Sequence, residues 1–422
     1  ANLLEKASII LSATAYDDGK VLAIKPSDGS GDFQFSRSSS ATRVNAQGLV
    51  EDVQILSSNL VQNGDFSQIG SEEVTNGSFS QEGSELVTNG DFATDSNWNG
   101  VNANGVTISN GSLNYSDTTL NYNISQGSVV TIGKTYKITL TVSNYVKGSV
   151  LIIVGAGGSL QEVSSNGTFI MYGVASVNTT FYFQARGASG TTLSIDNVSV
   201  KEVGQDWSLG TGWSIGDDKA VATNSASGQK LRQAGQLAAS KTYKLVYEVT
   251  EITLGGFSPI VGAVAGTAVY SIGTYTEYIT TINDDFYIRT LGTTSGSITN
   301  ISVKEVGQDW TLGTGISIGN DEGVFNSVPS GQQLSQLGLG GVIGKTYKIS
   351  YEIKSRTEGA FSASIGATLS ANQNSSVGVY TEYLTASGTG SFYIRSRGTT
   401  SGSVSNISVI EITDDTNLPR IN

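Results

Sequence analysis

The sequence predicts an all-β protein: two-sheet β-sandwich modules in tandem, stacked as a rod behind a small β-rich N-terminal region. Three observations predict it. First, two markers recur together three times. KTY stands at 134–136, 241–243 and 345–347, and a closing strand reads IDNVSVKEV (195–203), ITNISVKEV (298–306) and VSNISVIEI (404–412). Second, the KTY strands alternate. Tyr136, Ile138, Leu140 and Val142 fall on one face, as do Tyr243, Leu245, Tyr247 and Val249, and Tyr347, Ile349, Tyr351 and Ile353. That period of two marks a half-buried strand. Third, only 14% of the residues are charged and 52 of the 422 are Gly. Ser, Thr and Asn fill the gap, which suits short strands joined by tight turns.

The elements follow in chain order. Residues 1–57 hold strand-like pieces: VLAIK (21–25), FQFSR (33–37) and ATRVN (41–45). The opening stretch ANLLEKASIILSATAYDDGK has no basic leader before its apolar part and no clear cleavage site. It reads as the start of a folded segment, and no Sec-type signal is expected. Residues 58–84 carry a short repeat. LVQNGDFSQIG (60–70), EVTNGSFSQEG (73–83) and LVTNGDFATDS (86–96) recur every 13 residues, and the third copy leads into the first module. Each contains Asn-Gly, a tight-turn dipeptide. Such a unit is too short to bury a core alone. It must dock on the modules or on other chains, and 58–84 reads as a collar or stalk.

Three sandwich modules are expected at 85–202, 203–305 and 306–412, with a tail at 413–422. Each is large enough for its own core. In each, an FYFQARG (181–187), FYIRTLG (286–292) or FYIRSRG (392–398) strand leads through a Gly/Ser/Thr turn to the closing strand. VKEVGQDW occurs at 200–207 and again at 303–310. It marks a seam with no linker, which leaves adjacent modules little freedom.

The composition excludes several kinds of chemistry. There is no Cys and no His. Ser-His-Asp and Cys-His nucleophile systems and His-ligated zinc are therefore absent, and no disulfide staples the fold. A net charge of −12 repels nucleic-acid backbones and anionic lipid. The longest apolar run, SVLIIVG (149–155), falls well short of a membrane span, so no membrane insertion is expected. GAGGS (155–159) follows a strand but opens no helix, so it reads as a turn and not a phosphate loop.

Carboxylate-pair chemistry survives on paper, through Asp206 and Asp309 or the doublets Asp17-Asp18, Asp217-Asp218, Asp284-Asp285 and Asp414-Asp415. Neighbouring acids on a strand face opposite ways and in turns are solvated or capping, so the chain reads as no enzyme. Trp98, Trp207 and Trp310 occupy equivalent places. They can pack the module seam or stack on sugar rings, with packing the favoured role. Trp213 falls where the third module has Ile316 and reads as core. The N-x-S/T triplets at Asn197 and Asn300 fall within strands and read as structural.

Two resemblances can be stated. LVTNGDF…W, followed by LSIDNVSV (193–200), resembles the jelly-roll, galactose-binding-like carbohydrate-binding modules over 86–203. The later modules match through their tail and the Trp. The resemblance implies a jelly-roll sandwich and a structural calcium held by Asp91 and Asp196. Thr299 and Ser405 replace the second acid later, so calcium is expected only in the first module. DFQFSRSSSATRVNAQGLVEDV (32–53) resembles the leader of tailed-bacteriophage fibre and appendage proteins. In that family TNLPRI usually follows soon after the leader. Here it stands at 416–421, beyond the repeats.

These resemblances imply a non-enzymatic virion structural protein, a head or tail fibre. Residues 1–57 would attach it to capsid or tail proteins. The chain would form a homotrimer, and the modules would adhere weakly to host-surface or mucosal glycans, with Trp98, Trp207 and Trp310 as candidate contacts. The alternatives are a secreted bacterial polysaccharide-binding protein, a polysaccharide depolymerase and a spacer without ligand.

Overall fold

The computed structural model describes residues 10–17, 20–24, 32–34, 41–44, 50–53, 55–156 and 158–413. No helix occurs among them. The chain divides into two compact units, Ile69–Val306 and Ala1–Gln68 with Gly307–Asn422. In the N-terminal region Ile10–Asp17, Lys20–Ile24 and Asp32–Gln34 form an antiparallel sheet, and Ala41–Val44 pairs with Val50–Val53. The Asp17-Asp18 pair and the TNLPRI phrase with Asp414-Asp415 fall wholly or partly outside the described residues.

The first sandwich has two separate layers. One orders Gly167–Val174, Thr135–Lys147, Thr191–Val203, Ser112–Thr118 and Val106–Ser109. The other orders Asn123–Gln126, Phe181–Ala185, Val150–Val154 and Gly158–Val163. Their inner faces close a core of Ile138, Leu140, Val150, Ile152, Phe181, Phe183, Ile195 and Val200, all shielded from solvent.

In the second and third sandwiches the two layers are one curled nine-stranded sheet. The strands Thr242–Val261 and Phe286–Val306 run through both layers, as do Thr346–Ile365 and Ser391–Thr413. The bend is a set of register shifts around Gly255 and Gly359, both at positive φ (69° and 71°). A Cβ on either would overlap a carbonyl oxygen of the facing strand. The Gly/Ser/Thr stretches at 292–297 and 398–403, expected to turn, are therefore strand here. Their backbone groups pair along the kinked partner. In the first sandwich the equivalent stretch does turn, with Gly190 N donating to Gly187 O.

All twelve alternating residues of the KTY strands are buried. The KTY and VKEV markers recur because they meet. Lys134 pairs with Glu202 at 3.1 Å, Lys241 with Glu305 at 2.9 Å and Lys345 with Glu411 at 3.2 Å. The KTY tyrosines cap the preceding loop. The hydroxyls of Tyr136, Tyr243 and Tyr347 accept the N–H of Thr131, Ala238 and Val342 at 2.6, 2.9 and 3.0 Å.

The short repeats differ most from expectation. They form no separate collar or stalk. Each docks on a sandwich just after a short strand that pairs with that sandwich's closing strand, and they are used in reverse order. The third copy belongs to the first sandwich, the second copy to the second, and the first copy to the third. Glu82–Glu85 pairs with Thr191–Val203, Ile69–Glu72 with Phe286–Val306, and Ile55–Leu56 with Ser391–Thr413. The sandwiches are thus nested like brackets. The outgoing and returning chains are register partners at every level: Glu82 with Val203, Ile69 with Val306, and Leu56 with Ile412. The second and third sandwiches are consequently discontinuous in sequence.

Candidate functional site

Each sandwich carries the same cradle, and its residues explain the repeat. In the segment, Asn63, Asn76 and Asn89 adopt positive φ (49°, 52° and 56°), a conformation Asn tolerates better than most residues. Their Oδ1 atoms accept the N–H of Gln68, Gln81 and Thr94. The following Gly64, Gly77 and Gly90 lie flat on the closing strand. Their carbonyls accept the N–H of Ile407, Ile301 and Val198 at 2.9, 2.9 and 2.8 Å. A Cβ on any of the three would overlap the carbonyl oxygen of that same residue. Asn-Gly is therefore a docking device here and not a hairpin tip.

A glutamine then locks the segment. Gln126, Gln233 and Gln336, all buried, clasp the backbone of Thr88, Thr75 and Gln62. Each accepts that residue's N–H and donates to its carbonyl, at 2.9 and 2.9 Å, 3.1 and 2.6 Å, and 2.9 and 2.6 Å. Sequence reading missed these glutamines. The available signal is their recurrence on Asn123–Gln126, Lys230–Gln233 and Gln333–Gly340, the short strands ahead of KTY.

Trp98, Trp207 and Trp310 complete the cradle, which corrects their candidacy as sugar platforms. They are only 4%, 6% and 5% exposed. Each indole N–H donates to the carbonyl of Asn89, Asn76 or Asn63 at 3.0–3.1 Å. Each ring packs on Phe92, Phe79 or Phe66, with centroids 5.1–5.3 Å apart. No indole face is offered to a pyranose. They also pack within a sandwich and not across a seam. The duplicated VKEVGQDW follows from this. Its valine ends one closing strand. Gly204 or Gly307 turns at φ near 70°, where Ile215 or Ile318 leaves no room for a side chain. The Trp then anchors the next cradle.

The acid pair proposed for calcium sits beside the first cradle. Asp91 Oδ1 accepts the N–H of Ala93 at 3.3 Å, and Asp65 does the same for Ser67 in the third sandwich, so this acid closes a local turn. Asp196 is more informative. Thr299 and Ser405 share its register position, opposite Glu248 and Glu352 where Asp196 faces Thr141. Thr299 donates its hydroxyl to the carbonyls of Asp218 (2.8 Å) and Ser78 (3.4 Å). Ser405 donates to those of Asp321 (2.9 Å) and Asp65 (3.5 Å). The matching carbonyls in the first sandwich belong to Gly111 and Asp91. A carboxylate has no proton to give them. One carboxylate beside backbone carbonyls is oxygen chemistry of the kind a hard cation takes, with fewer ligands than the roughly six to eight of a full calcium shell. Asp196 also accepts from its neighbour Asn197, at 2.6 Å from N and 3.3 Å from Nδ2. No cluster of three or more acidic, His or Cys ligands occurs among the described residues.

Among the described residues, the acids considered for catalysis do not face one another across a cleft. Asp206 is exposed. Asp309 lines an open cleft of about 520 Å³ with Leu60, Gln62, Gln308, Gln336, Gly338 and Leu339, and no second carboxylate lines it. Asp217 and Asp218 form a turn at φ 49° and 57°. Asp285 is taken by Arg232 at 2.7 Å.

The outer face of the second layer is the remaining candidate. Tyr182, Tyr287 and Tyr393 point outward on strands whose Phe181, Phe286 and Phe392 point in. The next outward position holds Gln184, Arg289 or Arg395. Its signature in the sequence is the alternation within FYFQ, FYIR and FYIR.

The fold and these faces define the class: tandem jelly-roll-like β-sandwiches, each closed by a segment supplied from upstream. Similarity extends to the tandem domain CBM22-1-CBM22-2 of Xyn10C from Paenibacillus barcinonensis, at 10% identity over 54% of this chain and 99% of that one, with a TM-score of 0.23. A chain of the Sulfolobus turreted icosahedral virus is 15% identical over 72% of this chain and 88% of its own, at TM-score 0.21. A chain from the triple jelly roll and turret assembly of an archaeal virus is 14% identical over 72% and 87%, at 0.20. TM-scores of this size carry no functional inference. No protein-family model and no curated protein matches the chain.

Proposed function

We propose that the chain is a non-enzymatic structural protein of a tailed-phage virion, a head or tail fibre, whose sandwiches serve weak adhesion to host-surface or mucosal glycans. One observation carries most of the support. Ile55 and Leu56 pair with Thr413 and Ile412, so the chain returns to the residues that follow its leader-like stretch. The three sandwiches then form one excursion inserted between leader and TNLPRI. This accounts for the separation of two phrases that stand close together in the resembling family. Partners would be capsid or tail proteins and two further copies of the chain, on an extracellular particle. Calcium, where bound, would be held by Asp196 with the carbonyls of Asp91 and Gly111, and would tie the first segment to its closing strand.

Mass spectrometry and immunogold labelling of purified phage particles test this reading. The chain is expected at one defined structure on the particle. Its absence from particles, with glycan binding by protein recovered from culture fluid, would move the assignment to a secreted bacterial polysaccharide-binding protein. The half-buried, outward-pointing tyrosine–arginine face is the feature that favours that second reading.

A further inference from the structure

The three outer faces share one frame but differ sharply in charge. In the first sandwich Asn123 stands opposite Gln184 and Ser125 opposite Tyr182, and Arg186 is paired with Glu162 at 3.4 Å. In the third, Gln333 stands opposite Arg395 and Ser335 opposite Tyr393, and Arg397 donates to Ser362 Oγ at 3.1 Å. In the second, Lys230 stands directly opposite Arg289, and Arg232 opposite Tyr287.

Like charges directly opposite on neighbouring strands are destabilising. Here they persist in a chain of net charge −12, with acids abundant elsewhere. The local acids do not relieve the pair. Asp285 is taken by Arg232, with Asp284 acting on the same guanidinium. Glu277 Oε2 accepts the N–H of Thr267, and its Oε1 is buried with no hydrogen-bond partner, so it reaches neither cation. The Lys230 ammonium lies 4.1 Å from the centroid of the Tyr287 ring, which holds it over the face. Arg289 Nε, like the equivalent Arg395 Nε of the third sandwich, is buried with no hydrogen-bond partner, so what sets the second face apart is the Lys230 opposite the arginine. Beside the cations, Ser208, Leu209, Gly210, Gly228 and Gln229 with Lys230 and Arg232 line an open groove of about 300 Å³.

We propose that this face of the second sandwich binds an anionic polysaccharide, with Lys230 and Arg289 as the charge-reading pair. A ligand carboxylate or sulfate between them converts a repulsive register pair into two attractive contacts. The groove backbone and the Ser208 and Gln229 side chains supply hydroxyl partners. The inference deepens the adhesive part of the proposed function and is independent of where the chain attaches.

The test is affinity electrophoresis of the full chain at about 0.15 M salt, in gels holding polygalacturonate, dextran sulfate, neutral dextran or poly-glutamate. Retardation by the first or the second is expected, and which of them acts identifies carboxylate or sulfate as the anion. Lys230→Glu and Arg289→Gln should each weaken retention by about tenfold. Lys230→Glu should also raise the melting temperature, because it replaces a like-charge pair with an opposite one. Binding lost while stability rises separates a ligand site from a structural role. Equal retardation by dextran or by poly-glutamate, none in any gel, or retention unaffected by either variant would overturn the proposal. Presence or absence of the chain on virions, read separately, bears on the attachment and leaves this result standing.

Discussion

At the residue scale, the cradle depends on atoms that leave no slack. Gly77→Ala puts a methyl group into the Ile301 carbonyl and should destabilise the second sandwich by about 3 kcal/mol, read by urea unfolding. Trp207→Ala should cost about 3–5 kcal/mol on the same measurement, as expected for a buried indole and not for a surface platform. Asp196 makes a different prediction. Calcium should raise the melting temperature of the wild-type chain and chelation should reverse it. Asp196→Ser recreates the hydroxyl bridge of the third sandwich and should remove the calcium response while keeping the fold. A response that survives this substitution would place the ion elsewhere. Asn-Gly was legible as a special backbone site. Its actual constraint, a strand backbone lying against the glycine, was not, because the partner lies more than 100 residues away in every sandwich.

At the element scale, each segment is held by groups from the sheet it completes. Glu82 accepts from Lys137 at 2.6 Å and Lys201 at 3.0 Å. The hydrogen bond from Lys137, then that from Lys201, holds its carboxyl below the ordinary value of 4.5. A lowered folded pKa stabilises the fold above the unfolded value, and the effect fades as pH falls through the folded one. The melting temperature of wild type should therefore exceed that of Glu82→Gln at neutral pH, with the gap closing below about pH 4.5. The pair is partly exposed, so the gap should be small and shrink with salt. The period of two made the KTY strands readable, face by face. The long curled strands were not, since Gly, Ser and Thr signal a turn until a kinked partner supplies a ladder.

At the scale of the whole molecule, the bracket topology predicts which pieces fold. Residues 82–203 contain a segment and its sandwich contiguously, and should fold alone. Residues 203–306 lack 69–81, leaving Trp207, Phe286 and the Val303 strand edge uncovered, and should not. Residues 69–306 should fold, and a peptide of 69–81 added in trans should rescue 203–306, as in strand addition to an open sheet edge. Urea unfolding followed by near-ultraviolet circular dichroism reads all four. Independent folding of 203–306 would contradict the assignment of its first strand. Because Glu82 and Val203 are register partners, excising the residues between them should leave a closable joint.

Composition, periodicity and the repeated markers were sufficient to determine an all-β chain with three related cores, the inward residues of the KTY strands and the absence of His- and Cys-based chemistry. These are local properties, written in spacing along the chain. Which short repeat serves which sandwich, that three tryptophans lie beneath those repeats, and that Lys230 faces Arg289 were decided only by tertiary structure. The three short repeats share the same V-x-N-G-x-F frame, so no local signal tells which sandwich each one serves. Only the closure of the chain on itself orders them, by setting each outgoing strand beside its own return.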